Sequence, residues 1–224
     1  MSNPLHIDAL TYRYGSRRGI ENVSLSVAEG TLFGFLGPNG AGKTTTIRVL
    51  LGFLRSTEGH ATIFGKDCWR DTRLIKQDVG YVPGDLRLWP WLDGTSALRL
   101  FGSVRGRDLM PGGKRLAEMF ELDLGVKVRR MSKGMRQKLG LILAMAHEPR
   151  LLILDEPSSG LDPLMQDRLL EYLKRGAGQG RTVFFSSHTL GEVERLCDRL
   201  AIVREGKIVL TVRWRRFSAR RGMW

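Results

Sequence analysis

The stretch Gly37-Pro38-Asn39-Gly40-Ala41-Gly42-Lys43-Thr44-Thr45 follows the pattern G-x-x-x-x-G-K-[ST], and its surroundings restrict the fold more than any other part of the chain. Before it lies the β-type run 31–36. After it comes TTTIRVLLGF, where Ile47, Leu50, Leu51 and Leu54 recur at helical spacing until Gly52 and Arg55-Ser56 weaken the pattern. A strand, a glycine-rich loop and a helix in that order make a phosphate cradle: the loop turns its N–H groups inward at close approach, and the helix N-terminus adds positive potential. In such a loop Lys43 contacts the β- and γ-phosphates and the Thr44 hydroxyl holds magnesium. The alternative, a glycine turn with an exposed lysine, does not account for both flanking elements.

A second constraint stands 111 residues beyond Thr44. There Leu151-Leu152-Ile153-Leu154 ends in Asp155-Glu156-Pro157. An unbroken apolar run reads as a strand buried on both faces, and acids rarely close such a strand without a task. Asp155 is placed to support the magnesium shell, and Glu156 to orient or deprotonate an attacking water. Two acids opening a turn before Pro157 would be the plain reading if the glycine-rich loop were absent.

The rest of the chain divides by pattern. Runs at 5–12, 23–27, 31–36 and 61–64 read as short β segments, most simply an antiparallel layer. From Leu92 to about Arg130 the pattern turns helical, with expected breaks at Gly102, Gly106 and Pro111-Gly112-Gly113. Beyond Ser132 the spacing predicts a helix that Pro149 closes, then strand 151–154, helix 163–175, strand 182–185, helix 190–197 and strand 200–203. Strands alternating with helices predict a parallel sheet covered on both faces, hence an α/β fold.

With 224 residues the chain suits one large domain with a full core. Its longest apolar run, 139–146, is eight residues and too short to span a bilayer. The N-terminus lacks the basic and apolar regions of a signal peptide, so a cytosolic location is expected. Cys68 and Cys197 lie far apart without metal-ligand spacing and are expected as reduced thiols. The formal charge of +13 leaves nucleic acid, an anionic membrane surface and a nucleotide all open, and five of its arginines sit in the last fourteen residues.

The segments flanking the Asp155 strand resemble those of ATP-binding cassette (ABC) nucleotide-binding subunits, from about Leu5 to Leu210. Met131-Ser132-Lys133-Gly134-Met135 stands where that family has its LSGGQ signature. Ser159-Gly160-Leu161-Asp162 is similar to its D-loop, and His188, after Phe184-Phe185-Ser186-Ser187, to its switch histidine. Tyr14 resembles the aromatic that stacks on adenine. The resemblance implies a P-loop NTPase (RecA-like) core with an antiparallel β subdomain and a helical subdomain. It implies ATP and Mg2+ as ligands, Lys43, Glu156 and His188 as catalytic groups, and Ser132, Gly134 and Asp162 as nucleotide contacts. It also implies a homodimer or heterodimer sandwiching two ATP molecules, and a separate transmembrane permease that places the subunit at the cytoplasmic face of the membrane. The expected organisation is an ATP-binding domain over 1–210, with a helical insertion at about 92–148, and a basic Arg/Trp tail over 211–224, disordered or truncated.

Departures from the family pattern refine this. Gly84, in Val79-Gly80-Tyr81-Val82-Pro83-Gly84-Asp85-Leu86, stands where the family usually has a magnesium-contacting glutamine, and Gln77 is too early to replace it. Lys133 and Met135 replace Gly and Gln in the signature. Both features resemble the branch serving export permeases of the drug, antibiotic or polysaccharide type. Leu86-Arg87-Leu88-Trp89-Pro90-Trp91 reads either as core packing or as the wall of a groove for a permease helix. His6, His60 and His147 are isolated and expected to be structural. Two other readings are a soluble ABC ATPase acting on nucleic acid or the ribosome, and a regulatory cassette without turnover. A single cassette without a coiled-coil or zinc insertion speaks against a nucleic-acid partner.

Overall fold

The computed structural model describes residues 3–213. In chain order come β1 (Leu5–Tyr14), β2 (Arg17–Val27), β3 (Leu32–Leu36), α1 (Lys43–Leu50), β4 (Glu58–Ile63) and β5 (Lys66–Asp67). Next are α2 (Thr72–Asp78), β6 (Val79–Val82), α3 (Gly94–Arg105), α4 (Met110–Met119), a 3₁₀ turn (Val128–Arg130) and α5 (Lys133–Met145). The described chain closes with β7 (Leu151–Asp155), α6 (Pro163–Gly178), β8 (Thr182–Ser187), α7 (Leu190–Leu196), β9 (Arg199–Arg204) and β10 (Lys207–Arg213).

The strands form two sheets. An antiparallel sheet runs β2-β1-β4-β5, and a six-stranded sheet runs β10-β9-β3-β8-β7-β6, parallel except for β10. The run 31–36 therefore belongs to the parallel sheet, not to the antiparallel layer expected for it. All five residues of β3 are buried because β8 and β9 flank it and other elements cover both faces. Side chains along these strands alternate between two cores. Phe33, Phe35, Ile153 and Phe184 meet α1 and the antiparallel sheet, while Leu32, Leu36, Leu152, Leu154 and Phe185 meet the helices.

Helices α3 to α5 lie between β6 and β7, and two of the breaks expected there are absent. Gly102 is inside α3, and Pro111-Gly112-Gly113 lies in the first turn of α4. Proline is tolerated there because the first helical N–H groups have no intrahelical partner. The glycines are contact points: a Cβ on Gly112 would stand 2.3 Å from the Ala146 carbonyl oxygen, and one on Gly113 2.4 Å from Leu98 Cδ1. Gly106, with φ of +64°, does end α3. Helix α1 ends at Leu50, so Leu51 and Leu54 lie beyond it; Gly52, at φ of +65°, turns the chain away. Elements α2 and β6 were not foreseen, and β10 takes in Thr211 to Arg213 of the expected tail. Residues 214–224 of that tail lie outside the described residues. Among the described residues no helix is long and apolar enough to cross a membrane.

Candidate active site

The glycine-rich loop leaves β3 with its backbone braced from behind by the β9–β10 turn. A Cβ on Gly37 would meet the Val203 carbonyl at 2.4 Å, so only glycine fits. The Gly206 N–H donates to Ala41 O at 3.0 Å, and the Gly206 carbonyl accepts from Glu21 N at 2.8 Å, tying the loop to β2 as well. Gly40 and Gly42 adopt φ of +77° and +103°. No acidic residue of α1 itself sits in its first turn, so the positive end of the helix is left to groups in the cleft. Lys43 is buried; its Nζ donates to Gly37 O at 2.6 Å and to Pro38 O at 3.1 Å. The open cleft above, of about 220 Å³, runs from Tyr14 and Gly19 over Asn39, Gly40 and Gly42–Thr45 to Glu156. Tyr14 is 42% exposed, edge-on to Tyr12 and 3.4 Å from Thr45 Oγ1, so its ring forms one wall.

At the other wall, Thr44 Oγ1 donates to Asp155 Oδ2 at 2.7 Å, and Ser186 Oγ donates to Asp155 Oδ1. Magnesium takes few protein oxygens and completes its shell with phosphates and water. A hydroxyl and a buried carboxylate beside a phosphate loop fit that requirement. Glu156 follows in the left-handed region at φ of +50°, uncommon for a non-glycine residue. Its N–H donates to Ser186 O at 3.1 Å. In this pose Oε1 is 3.3 Å from Lys43 Nζ and Oε2 is 3.2 Å from His188 Nδ1. The strand end thus carries one carboxylate bonded to Thr44 and Ser186 and one between a cation and an imidazole.

The sequence model of the ABC transporter family matches residues 20–159. The chain belongs to that family. Among curated relatives, an uncharacterized ABC transporter ATP-binding protein of Nostoc is 40% identical over 198 residues, 85% of this chain and 58% of that protein. The linearmycin resistance ATP-binding protein LnrL of Bacillus subtilis is 35% identical, covering 92% of this chain and 68% of its own length. The bacitracin transport ATP-binding protein BcrA of Bacillus licheniformis is 36% identical, covering 93% and 69%. The cassette thus spans roughly three-fifths to two-thirds of these relatives. A solved ATP-binding subunit of an ABC transporter superposes with a TM-score of 0.86 at 30% identity, covering 93% of this chain and 89% of that one. A dimeric bacterial ABC transporter cassette shares the fold with a TM-score of 0.83 at 22% identity, covering 95% and 100%.

The cassette gathers Tyr14, Asn39, Gly40, Gly42–Thr45 and Glu156 around one cleft, with Asp155 and His188 bonded to its walls. Ser132, Gly134 and Asp162 do not line it. Ser132 caps α5, accepting from Met135 N at 3.1 Å, and Asp162 caps α6, accepting from Met165 N at 3.0 Å. Gly134 is fixed by a neighbour: its Cβ would stand 2.6 Å from the Gly160 carbonyl oxygen, so the signature and D-loop segments of one chain pack together. A Cβ on Gly84 would face Asp155 Oδ2 at 3.5 Å, whereas the Asp85 carboxylate is exposed and pairs with Arg87 at 2.9 Å.

The segment 86–91 divides between its two readings. Leu86 packs on Gly140 and Leu88 on the helical core, while Trp89 and Trp91 stack on each other in solvent. His6 bonds Ser26 Oγ at 2.7 Å, and Cys68 and Cys197 are buried thiols, with burial pushing Cys68 up to about 12. Ser186, Glu192 and Gly206 were missed by sequence reasoning. Ser186 had a signal, a polar residue inside an otherwise apolar strand; Glu192 and Gly206 had none stronger than one acid in a helix and one glycine in a turn.

Proposed function

We propose that this cassette binds and hydrolyses ATP as one of a pair of ABC subunits, and that the pair drives a membrane permease in the export of a drug-like or antibiotic molecule. The observation that carries the hydrolytic step is Glu156 suspended between Lys43 and His188 at the edge of the phosphate cleft. From there its carboxylate reaches a water lying in line with a γ-phosphate seated in the loop. Lys43 offsets charge on the transferring phosphoryl group, and His188 holds both Glu156 and the water in register. Thr44 and Asp155 would hold Mg2+, which when bound neutralises phosphate charge. Tyr14 supplies a flat face for the adenine ring.

Pairing is supported by what a single chain leaves unused: Ser132 and Gly134 open a helix, a polarity suited to an anion, away from their own cleft. A second copy would bring them over the γ-phosphate, and a bacterial cassette that shares this fold is described as dimeric. The export reading rests on relatives named for bacitracin transport and for linearmycin and daunorubicin resistance. Membrane association follows from the permease.

The test is Glu156→Gln. The amide keeps the shape but cannot take a proton, so hydrolysis is expected to fall at least about 100-fold with ATP affinity unchanged. An ATP-bound dimer should then appear on size-exclusion chromatography. Undiminished turnover in this variant would exclude Glu156 as the base and with it this reading of the site.

A further inference from the structure

Glu192, in the first turn of α7, touches neither the cleft nor the phosphate loop, yet both of its oxygens are engaged by loops that carry the reaction. Ser158, two residues after Glu156, donates to Oε1 at 2.6 Å; Ser187, immediately before His188, donates to Oε2 at 2.6 Å. These lengths are those of hydroxyls bonded to a charged carboxylate, the stronger class of hydrogen bond. An acid in a first helical turn is ordinarily explained by the helix dipole, but that explanation requires neither serine. Ser187 is further pinned, its Oγ accepting from Thr189 N at 2.9 Å. The loop after β7 is held on its other side too, where Gln137 Nε2 on α5 donates to Pro157 O at 2.9 Å.

We propose that Glu192 is a positioning residue that ties the loop leaving Glu156 to the loop bearing His188, so that the two groups meet at a fixed separation. The inference rests on the hydrolytic reading above. Glu156 occupies an uncommon backbone conformation, which persists only where surrounding contacts over-determine it, and the bridge contributes by pinning Ser158, two residues on, to Ser187 beside His188. Without it His188 and Glu156 can separate while the phosphate loop, braced by β9–β10, stays in place. Ground-state binding of ATP is therefore expected to survive the loss of the bridge, and the chemical step is not.

Measured on the full chain at saturating MgATP, Glu192→Ala is expected to lower kcat about 10- to 100-fold, with the ATP dissociation constant within about two-fold of wild type. Glu192→Gln, which can accept from one serine and donate to the other, should recover most of the rate. Ser158→Ala with Ser187→Ala should bring Glu192→Ala no further loss, because the three act as one unit. Wild-type kcat in Glu192→Ala would overturn the proposal, as would equal losses in the Ala and Gln variants. If Glu192→Ala does not fold, the serine pair and the Gln variant decide the matter alone. Glu156→Gln run in parallel separates the two readings: an inactive Glu156→Gln beside a fully active Glu192→Ala removes only the bridge, and an active Glu156→Gln removes the hydrolytic site itself.

Discussion

Gly84 comes close to Asp155, the carboxylate proposed to hold Mg2+, without touching it. A Cβ there would stand 3.5 Å from both Asp155 O and Asp155 Oδ2, an ordinary contact, and the backbone is outside the left-handed region. A side chain is therefore tolerated, and a glutamine amide would reach the Thr44–Asp155 pair. Gly84→Gln is expected to raise basal ATPase about 3- to 10-fold, a gain of about 1 kcal/mol in the transition state, with ATP affinity unchanged. Asp85→Ala should leave the rate as it was, since that carboxylate faces Arg87 in solvent. Steady-state rates of the three proteins settle it: no gain from Gly84→Gln and a collapse in Asp85→Ala would assign the role to Asp85. At this scale the groups around the cleft were readable because phosphate binding demands particular residue types at particular spacings. The residues that hold those groups were not, because a serine or a glutamate acquires such a role only from neighbours remote in the chain, as Ser158 and Ser187 are from each other.

At the scale of elements, glycine misled. In Gly102 and Pro111-Gly112-Gly113 the sequence pattern predicts interruption, whereas α3 and α4 run through them because close packing leaves no room for a side chain. The two causes of a glycine, a turn and a tight contact, look identical in a sequence. They differ in their response to alanine. Alanine favours a helix interior by about 1 kcal/mol over glycine, yet Gly112→Ala would drive a methyl to 2.3 Å from the Ala146 carbonyl, a backbone atom that cannot step aside. We expect a net loss of about 1–3 kcal/mol in urea unfolding, against a neutral or slightly stabilising Gly191→Ala, where no atom lies within 4 Å. Equal behaviour of the two variants would show that α4 does not sit against Ala146 as described. The strands were read more successfully where burial on both faces removed ambiguity, as in 151–154 and 182–185. β6 escaped notice because four residues containing a glycine and a tyrosine carry too little periodicity.

For the molecule as a whole, acid stability should be governed in part by His147, which follows α5. It is 8% exposed, and neither ring nitrogen has a partner at bonding geometry among the described residues. Burial first, and then the positive charge of Arg105, push its pKa down to about 4, with the Val79 backbone acting in the opposite sense. An unfolded chain takes up this proton near pH 6.5, so the stability it confers is complete above that value and declines as the pH falls towards 4, by up to about 3 kcal/mol. His147→Leu should flatten this decline when urea unfolding is compared at pH 7.5 and 5; an unaltered decline would place its origin elsewhere. A different consequence follows from the strand order β9-β3-β8-β7-β6. The brace at Gly206, the phosphate loop, His188, the Asp155–Glu156 pair and Gly84 issue from neighbouring strands like graduations on a ruler. Four of those strands are clasped on both sides, while β6 is joined only to β7. Arg105 of α3 grips the root of β6 through the carbonyls of Lys76 at 2.8 Å and Val79 at 3.3 Å. The helical region thus holds the sheet at its free edge, beside the Asp155–Glu156 strand and with two strands between that edge and the strand that opens into the phosphate loop.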